Sequence, residues 1–272
     1  MERVTKANPC AVCGKSHWCV RFKSYSVCMR VQSDSPKHFV GGEVGWIHPI
    51  EGVVVSAPLR PVKHHPCIDV SQIMRRWSLN SLRGEIVSLA KKLGVSKSSL
   101  EELQFVQTDN DGEFGIPMRD GLGNYIGIRV RHECGKKWAV PGSHSGIFIP
   151  NCRPSPLAMV LEGPTDTAAA LTLGYYGIGR PSCCGGLPHI ISAVNRLKVE
   201  RVVIVADNDD PGIRGAKTLQ IHLPVPSCVL VLPCKDLREF IKIGTRRMLD
   251  DMIDSVTWTV PKPSPPDSSS SH

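Results

Sequence analysis

The sequence has no apolar run of 18 or more residues, which excludes a membrane-spanning helix. Its opening, MERVTKANPC, lacks the apolar core of a secretory signal. The expected setting is therefore the reducing cytoplasm, where 11 cysteines serve as metal ligands and core residues rather than as disulfides. There is no Gly-x4-Gly-Lys-Ser/Thr loop, so no nucleotide-driven motor lies within these residues.

What is present is an ordinary globular composition, 41% hydrophobic and 21% charged, over 272 residues, enough for two domains or three small ones. The net charge of +8 points to a polyanionic partner. It is unevenly spread: residues 1–40 carry +5, residues 60–100 carry +6, and residues 151–272 only +1. The front is basic, and the nearly neutral back holds a dense cluster of acids.

The front contains CAVCGKSHWCVRFKSYSVCMR. Cys10-x2-Cys13-Gly14 is a knuckle: two thiolates take one ion, and Gly14 permits the turn that aims backbone N–H groups at sulfur. Cys19 and Cys28 are the candidates to close the tetrahedron, with His17 a rival to Cys19. Soft ligands without a redox motif favour a structural Zn²⁺. Strand-like pieces around Val40 and over Gly45–Ile50 suit a zinc ribbon, whose folding energy comes largely from the metal. Residues 57–69, with three prolines and the adjacent His64 and His65, read as a linker.

From Val70 to Leu103 the period is helical. Leu82, Ile86, Leu89, Ala90 and Leu93 share a face, Gly94 stops the helix and Ser96 caps the next. LAKKLGVSKSSLEEL has the outline of a helix-turn-helix, which is equally an ordinary structural corner. Residues 105–150 alternate, with turn signals at Asp120-Gly121, Gly123-Asn124 and Gly135, and predict an antiparallel meander. In GIRVR, Arg129 and Arg131 take one strand face and Ile128 and Val130 the other. With Lys136 and Lys137 on the next hairpin, these cations line a phosphate path or form a solvated face.

The back alternates strand and helix, which predicts a parallel sheet with right-handed crossovers. Expected strands are 157–161, ended by Glu162, then 177–180, 201–206 and 228–233. Expected helices start at Thr165 or Asp166, at about 187, and after Gly212. VVIVADNDDPG then stands out: a buried strand ends in Asp207, Asp209 and Asp210. Three packed carboxylates repel unless a cation sits among them. An EF-hand loop is excluded, because Pro211 and Thr218 fall where ligands are needed. What remains is an Mg²⁺-type site at the carboxyl end of a parallel sheet, where Glu162 joins from another strand.

EGPTD, then DNDDPG as Asp-x-Asp-x-x-Gly, then KDLREF resemble the three signatures of the Toprim domain of primases, topoisomerases and some nucleases. The knuckle and the block GIRVR…GKKWAVPGS…GIFIP are similar to the front of phage- and plasmid-type primases. The resemblance implies an α/β fold in parts: a zinc-binding ribbon (1–56), the linker, a helical and antiparallel piece of the catalytic core (70–152), a Toprim domain (153–258) and a disordered tail (259–272). It implies DNA primase activity, the synthesis of short RNA primers on single-stranded DNA from NTPs, in phage or mobile-element style. Glu162 matches the family's general acid/base and a metal ligand, and Asp166 the next acid. Asp207 and Asp209 match the Mg²⁺ or Mn²⁺ pair, and Asp236 the acid of the third signature. Many primases carry another acid two residues on; here Arg238 stands there, with Glu239 one later. Arg129, Arg131, Lys136, Lys137 and Lys235 are then expected to hold triphosphate or template. Trp18 and Trp46 are expected in the core or as stacking surfaces for bases. A separate replicative helicase is the expected partner. A topoisomerase would need a catalytic tyrosine in a further domain, and the chain has four tyrosines and no room for one. A Toprim nuclease and a non-catalytic nucleic-acid-binding replication factor are the alternatives.

Overall fold

The computed structural model describes residues 2–22, 25–38, 44–49, 68–80 and 83–261. Most of the expected linker (57–67, with His64 and His65), the piece at Val40, Ile50, the helical position Leu82 and the tail from 262 on lie outside the described residues. The N-terminal strands are β1 (Glu2–Arg3), β2 (Val20–Arg21), β3 (Tyr25–Cys28), β4 (Pro36–His38) and β5 (Val44–Pro49). They form an antiparallel sheet in the order β1-β2-β3-β5-β4.

Three helices follow: α1 (Val70–Asn80), α2 (Arg83–Leu93) and α3 (Lys97–Glu102). Ile86, Leu89, Ala90 and Leu93 are buried, as their spacing predicts. Ser96 Oγ accepts the Ser99 N–H at 3.1 Å and caps α3. Leu100 and Leu103 enter the main core. Thr172 Oγ1 accepts the Ser96 N–H at 2.9 Å. The α2–α3 unit is thus packed as a structural corner. The expected meander is β6 (Val106–Gln107), β7 (Glu113–Arg119), β8 (Tyr125–His132) and β9 (Lys137–Ala139), hydrogen-bonded in that order.

The last sheet is parallel: β10 (Leu157–Glu162), β11 (Tyr176–Arg180), β12 (Arg201–Ala206) and β13 (Ser227–Val231), in the order β11-β10-β12-β13. Its helices are α4 (Gly163–Thr172), α5 (Leu187–Arg196), α6 (Asp210–His222), α7 (Leu237–Phe240) and α8 (Arg246–Ser255). The strands read as unbroken apolar runs because both faces are covered. Met159, Leu161, Val203 and Val205 pack in one cluster with α4, α7 and α8. Ala158, Val160, Val202 and Ile204 pack in a second with α5 and α6. Each fully buried Val or Leu contributes roughly 1.5–3 kcal/mol.

Two helices start earlier than the sequence suggests. α6 begins at Asp210, because Asp209 caps it and Pro211 suits its first turn. α4 begins at Gly163, whose φ of +81° makes the turn off β10 without Cβ strain. α8 is a helix the sequence reading does not assign, although Thr245 caps it and Leu249 and Ile253 bury one face. The expected tail does not begin at Thr259, which pairs with Ser227 in both directions at 2.8 and 2.9 Å.

Candidate active site and zinc-ribbon cysteines

In the N-terminal sheet the four cysteines meet as expected. Sγ of Cys13 lies 3.6 Å from that of Cys19, which lies 3.9 Å from that of Cys28. The ligand atoms of Cys10, Cys13, Cys19 and Cys28 all fall within 4.8 Å of one another. The turn closes through Gly14 N–H to the Cys10 carbonyl and Cys10 N–H to the Lys15 carbonyl, both 2.8 Å. Backbone N–H groups of Met29 and Val31 donate to Cys19 and Cys28 at 3.5 and 3.2 Å. His17 is exposed and outside the cluster, so Cys19 is the third member. Burial would raise Cys13, but hydrogen bonds from the Lys15 backbone and the other thiols outweigh it and lower it to about 7. Cys19 and Cys28 are pushed up, burial first. Four converging soft donors with N–H support fit a structural zinc. Trp18 is 52% exposed, which excludes it from the core, and Trp46 is half-buried on β5.

The second constellation lies at the carboxyl edge of the parallel sheet. Its order makes β10 the branch point: the chain goes first to β11 on one side, then to β12 on the other. Ligands bind at the crevice of such a switch. Glu162 ends β10, in register with Arg180 at the end of β11, and Asp207 follows β12. Asp166 lies in the first turn of α4 and Asp236 caps α7. The loops are tied together: Asn208 N–H donates to the Lys235 carbonyl at 2.9 Å.

Each predicted residue has a definite place. Glu162 is half-buried; burial raises its pKa and the Arg180 charge opposes this. Asp207 is raised to about 7 by burial, then by Glu162, Asp236 and Asp209. Asp166, only 7% exposed, is raised to about 7 by burial and by Asp236. Asp209 is exposed and its Oδ1 accepts the Gly212 N–H at 2.7 Å. Asp236 is buried with both oxygens engaged: Oδ1 accepts the Glu239 N–H at 2.8 Å, and Oδ2 lies 3.6 Å from the Arg238 guanidinium. The Arg238 backbone N–H also donates to Asp166 at 3.1 Å. Asp236 thus serves a helix cap and an ion pair.

The cations divide. On β8, Ile128 and Val130 are buried against α1, and the alternation holds. The opposite face is not solvated at Arg131, which is 6% exposed. Its Nε has no hydrogen-bond partner; among the described residues Ser145 Oγ is the other such buried atom. Burial first, then the nearby Arg238 charge, lower the Arg131 pKa, and Asp166 opposes them. Arg129 is half-buried beside it in sequence. Lys137 is exposed at the start of β9 yet feels the same charges: partial desolvation, then Arg131, lower its pKa. Lys136 is exposed in the turn before it, and Lys235 donates its backbone N–H to Glu239 at 3.2 Å. Arg180, which the sequence reading misses, is 5% exposed and donates to the carbonyls of Gly185 and Gly215, each at 3.3 Å. A cation ending an otherwise apolar strand is its signal, but the strand order alone makes it the neighbour of Glu162.

The acids do not form a closed cage. Among the described residues only the four cysteines bring three or more ligand atoms within 4.8 Å. The donor set is carboxylate oxygen throughout, under mutual repulsion, which fits a hard divalent cation.

This carries a consequence for stability. In the metal-free folded chain Asp166 and Asp207 keep protons up to about pH 7, whereas unfolded they release them at the ordinary carboxylate value. The folded state binds more protons between those values, so these groups destabilise it as pH rises from about 4 to about 7. Asp207→Asn is expected to melt a few degrees above wild type at about pH 8 with chelator present, the difference vanishing near pH 4. Scanning calorimetry at the two pH values checks this, and a variant less stable than wild type at the higher pH would contradict it.

No family model matches the chain, and no curated protein matches it. Solved structures do. A DnaG primase catalytic domain bound to ssDNA superposes with a TM-score of 0.55 at 14% identity, over 69% of this chain and 78% of that one. The fold is that of a primase catalytic core. The Aquifex aeolicus primase, with its zinc-binding and RNA polymerase domains, gives a TM-score of 0.55 at 17% identity, over 70% of this chain and 60% of that one. The primase fragment of the bacteriophage T7 primase-helicase gives 0.50 at 19% identity, over 90% of this chain and 97% of that one. The likeness is one of fold; in the chain the four-cysteine cluster precedes the meander and the parallel sheet. Among the described residues no helix is long and apolar enough to cross a membrane.

Proposed function

We propose that the chain is a DNA primase: it makes short RNA primers on single-stranded DNA from NTPs by metal-dependent nucleotidyl transfer. The observation that carries this reading is the meeting of two opposite sets at one sheet edge. Carboxylates from separate strand ends, Glu162 and Asp207 with Asp209, interact with one another there; on the meander side Lys137 senses Glu162 and Asp166, and Arg131, a buried guanidinium whose Nε has no hydrogen-bond partner, senses Asp166. A polyphosphate supplies the acceptor that such a group lacks. The primase neighbours, one of them bound to ssDNA, support the same reading.

Glu162, Asp207 and Asp209 would hold Mg²⁺ or Mn²⁺. When bound, the ion lowers the pKa of an attacking 3′-hydroxyl and offsets charge on the α-phosphate. Arg131 and Lys137 orient the triphosphate from the meander side, with Arg129, Lys136 and Lys235 offering further charge to phosphate or template. Glu162, whose pKa is raised by burial against the opposing Arg180 charge, is placed at the strand end to act as the general acid/base. The ribbon, with exposed Trp18, reaches single-stranded template by stacking. A Toprim assignment for 153–258, the ribbon at 1–56, a cytoplasmic setting and a separate helicase partner belong to the same proposal.

The test is synthesis on single-stranded DNA with labelled NTPs and Mg²⁺ or Mn²⁺. Oligoribonucleotide products establish the reading. Cutting of DNA without synthesis would replace it with a nuclease, and binding alone with a non-catalytic replication factor.

The ion count follows from Arg238. It supplies an internal cation to the Asp166 and Asp236 pair, so only the Glu162, Asp207 and Asp209 set needs an external one. Titration of free Mn²⁺ by electron paramagnetic resonance is expected to find a single ion per chain at this edge. Arg238→Gln should admit a second. Two ions in the wild type, or no gain in the variant, would remove Arg238 from that role.

A further inference from the structure

Nucleotidyl transfer makes no use of the two adjacent cysteines in the turn after β11. Cys183 and Cys184 are free, with their Sγ atoms 3.6 Å apart. Cys183 lines the same crevice as Glu162, Arg180, Asp207 and Gly212, while Cys184 is exposed to solvent. The turn is held to its surroundings by Arg180, which donates to Gly185 on it and to Gly215 on α6. Gly215 lies so close under the Cys183 carbonyl that a Cβ there would collide with it. The thiol pair, Arg180 and the first half of α6, which Asp209 caps, are therefore packed against one another.

Two soft donors this close suit a ligand that takes both, and not the hard cation suited to the carboxylates. The hydrogen bond from Cys183, with the Arg180 and Arg214 charges, outweighs burial and lowers the Cys184 thiol to about 6. A thiolate at the exposed position is the nucleophile such chemistry begins with.

We propose that Cys183 and Cys184 form a bidentate acceptor site for soft thiophiles of the trivalent arsenical class, and that its occupation closes the neighbouring carboxylate site. With an arsenoxide, two S–H bonds and the As–O linkage break, two As–S bonds form and water leaves. Arsenic stays trivalent, so no oxidant is needed. An arsenic atom bridging the two sulfurs fills the Cys183 side of the crevice and pulls the turn off Arg180. Glu162 and the α6 N-terminus then lose the cation and the packing that hold them. The closure half of the proposal rests on the carboxylate edge being the catalytic site; the thiol half does not.

The experiment treats the zinc-loaded full chain with phenylarsine oxide and reads three quantities. Intact mass is expected to show an adduct at this pair that is absent in Cys183→Ser and in Cys184→Ser, and that a dithiol removes where a monothiol at equal concentration does not. Mn²⁺ binding by the adducted wild type should weaken by about tenfold or more. Primer synthesis should fall in parallel, while both serine variants resist the reagent. Equal adduct formation in the variants would overturn the site. An adduct at the pair with Mn²⁺ binding unchanged would overturn the closure. A chain that binds Mn²⁺ but makes no primer in any sample would count against the primase reading alone, because mass and Mn²⁺ binding still decide this one.

Discussion

Primer synthesis falls by about 10²–10³-fold or more when Asp207 and Asp209 are both replaced by alanine, the scale of removing a preorganised charge from a reacting centre. Asp207 stands between Glu162 and Asp236 at the end of β12, where burial and their charges already raise it to about 7. In the proposed reaction a divalent cation would offset this repulsion. Asp209 has a second duty, since its Oδ1 caps α6 through Gly212. Its loss as a cap costs about 1 kcal/mol. Asp209→Asn separates the two, because asparagine caps as well as aspartate but brings no charge. The expected order of activity is wild type, then Asp209→Asn, then the double alanine variant, with Mn²⁺ affinity falling in the same order. Parallel melting curves and template-binding titrations show whether the fold and the DNA contacts survive. Wild-type rates in the double variant would mean that these carboxylates do not act in the reaction.

Stripping metal from the four-cysteine cluster, or replacing Cys10 and Cys13 by serine, is expected to unfold the N-terminal sheet while the parallel sheet stays intact. The apolar core around the cluster is small: Val4 and three of the cysteines are buried, with Val12, Cys13 and Met29 packed partly against them. So little burial does not offset the ordering of a five-stranded sheet. A structural zinc contributes roughly 10–16 kcal/mol in small zinc folds, so its removal exceeds what the local packing supplies. The rest of the chain has its own large core, which includes Leu161, Phe240 and Leu249. Circular dichroism during chelation should show partial loss of signal at one zinc released per chain, with the main melting transition kept. A single unchanged transition would show that the sheet holds without metal.

The expected four cysteines meet in space, with Cys19 rather than His17 beside the knuckle, and Met29 and Val31 lend their N–H groups to the sulfurs of Cys19 and Cys28. That backbone support has no side-chain signature, so the sequence favours the four thiols on ligand type and spacing while His17 stands as a rival to Cys19. The meander and the parallel sheet were readable because their periods differ: GIRVR alternates, whereas VVIVA is apolar throughout and is covered on both faces. Helix starts were read too late at Pro164 and Pro211. Proline there looks like a turn, yet its fixed φ is what a first helical turn requires.

The sequence by itself determined the order of the strands along the chain, the four thiol ligands as a set, and the carboxylates that end β10 and follow β12. These are local properties, set by period, spacing and the cost of crowded charge. Only the tertiary structure decided which strands are neighbours. It placed Arg180 beside Glu162, left Arg131 Nε without a hydrogen-bond partner although the side chain senses Asp166, and tied Asp236 to the Glu239 N–H and the Arg238 guanidinium. Such facts depend on residues far apart in the chain, because burial and pairing are properties of the packed whole.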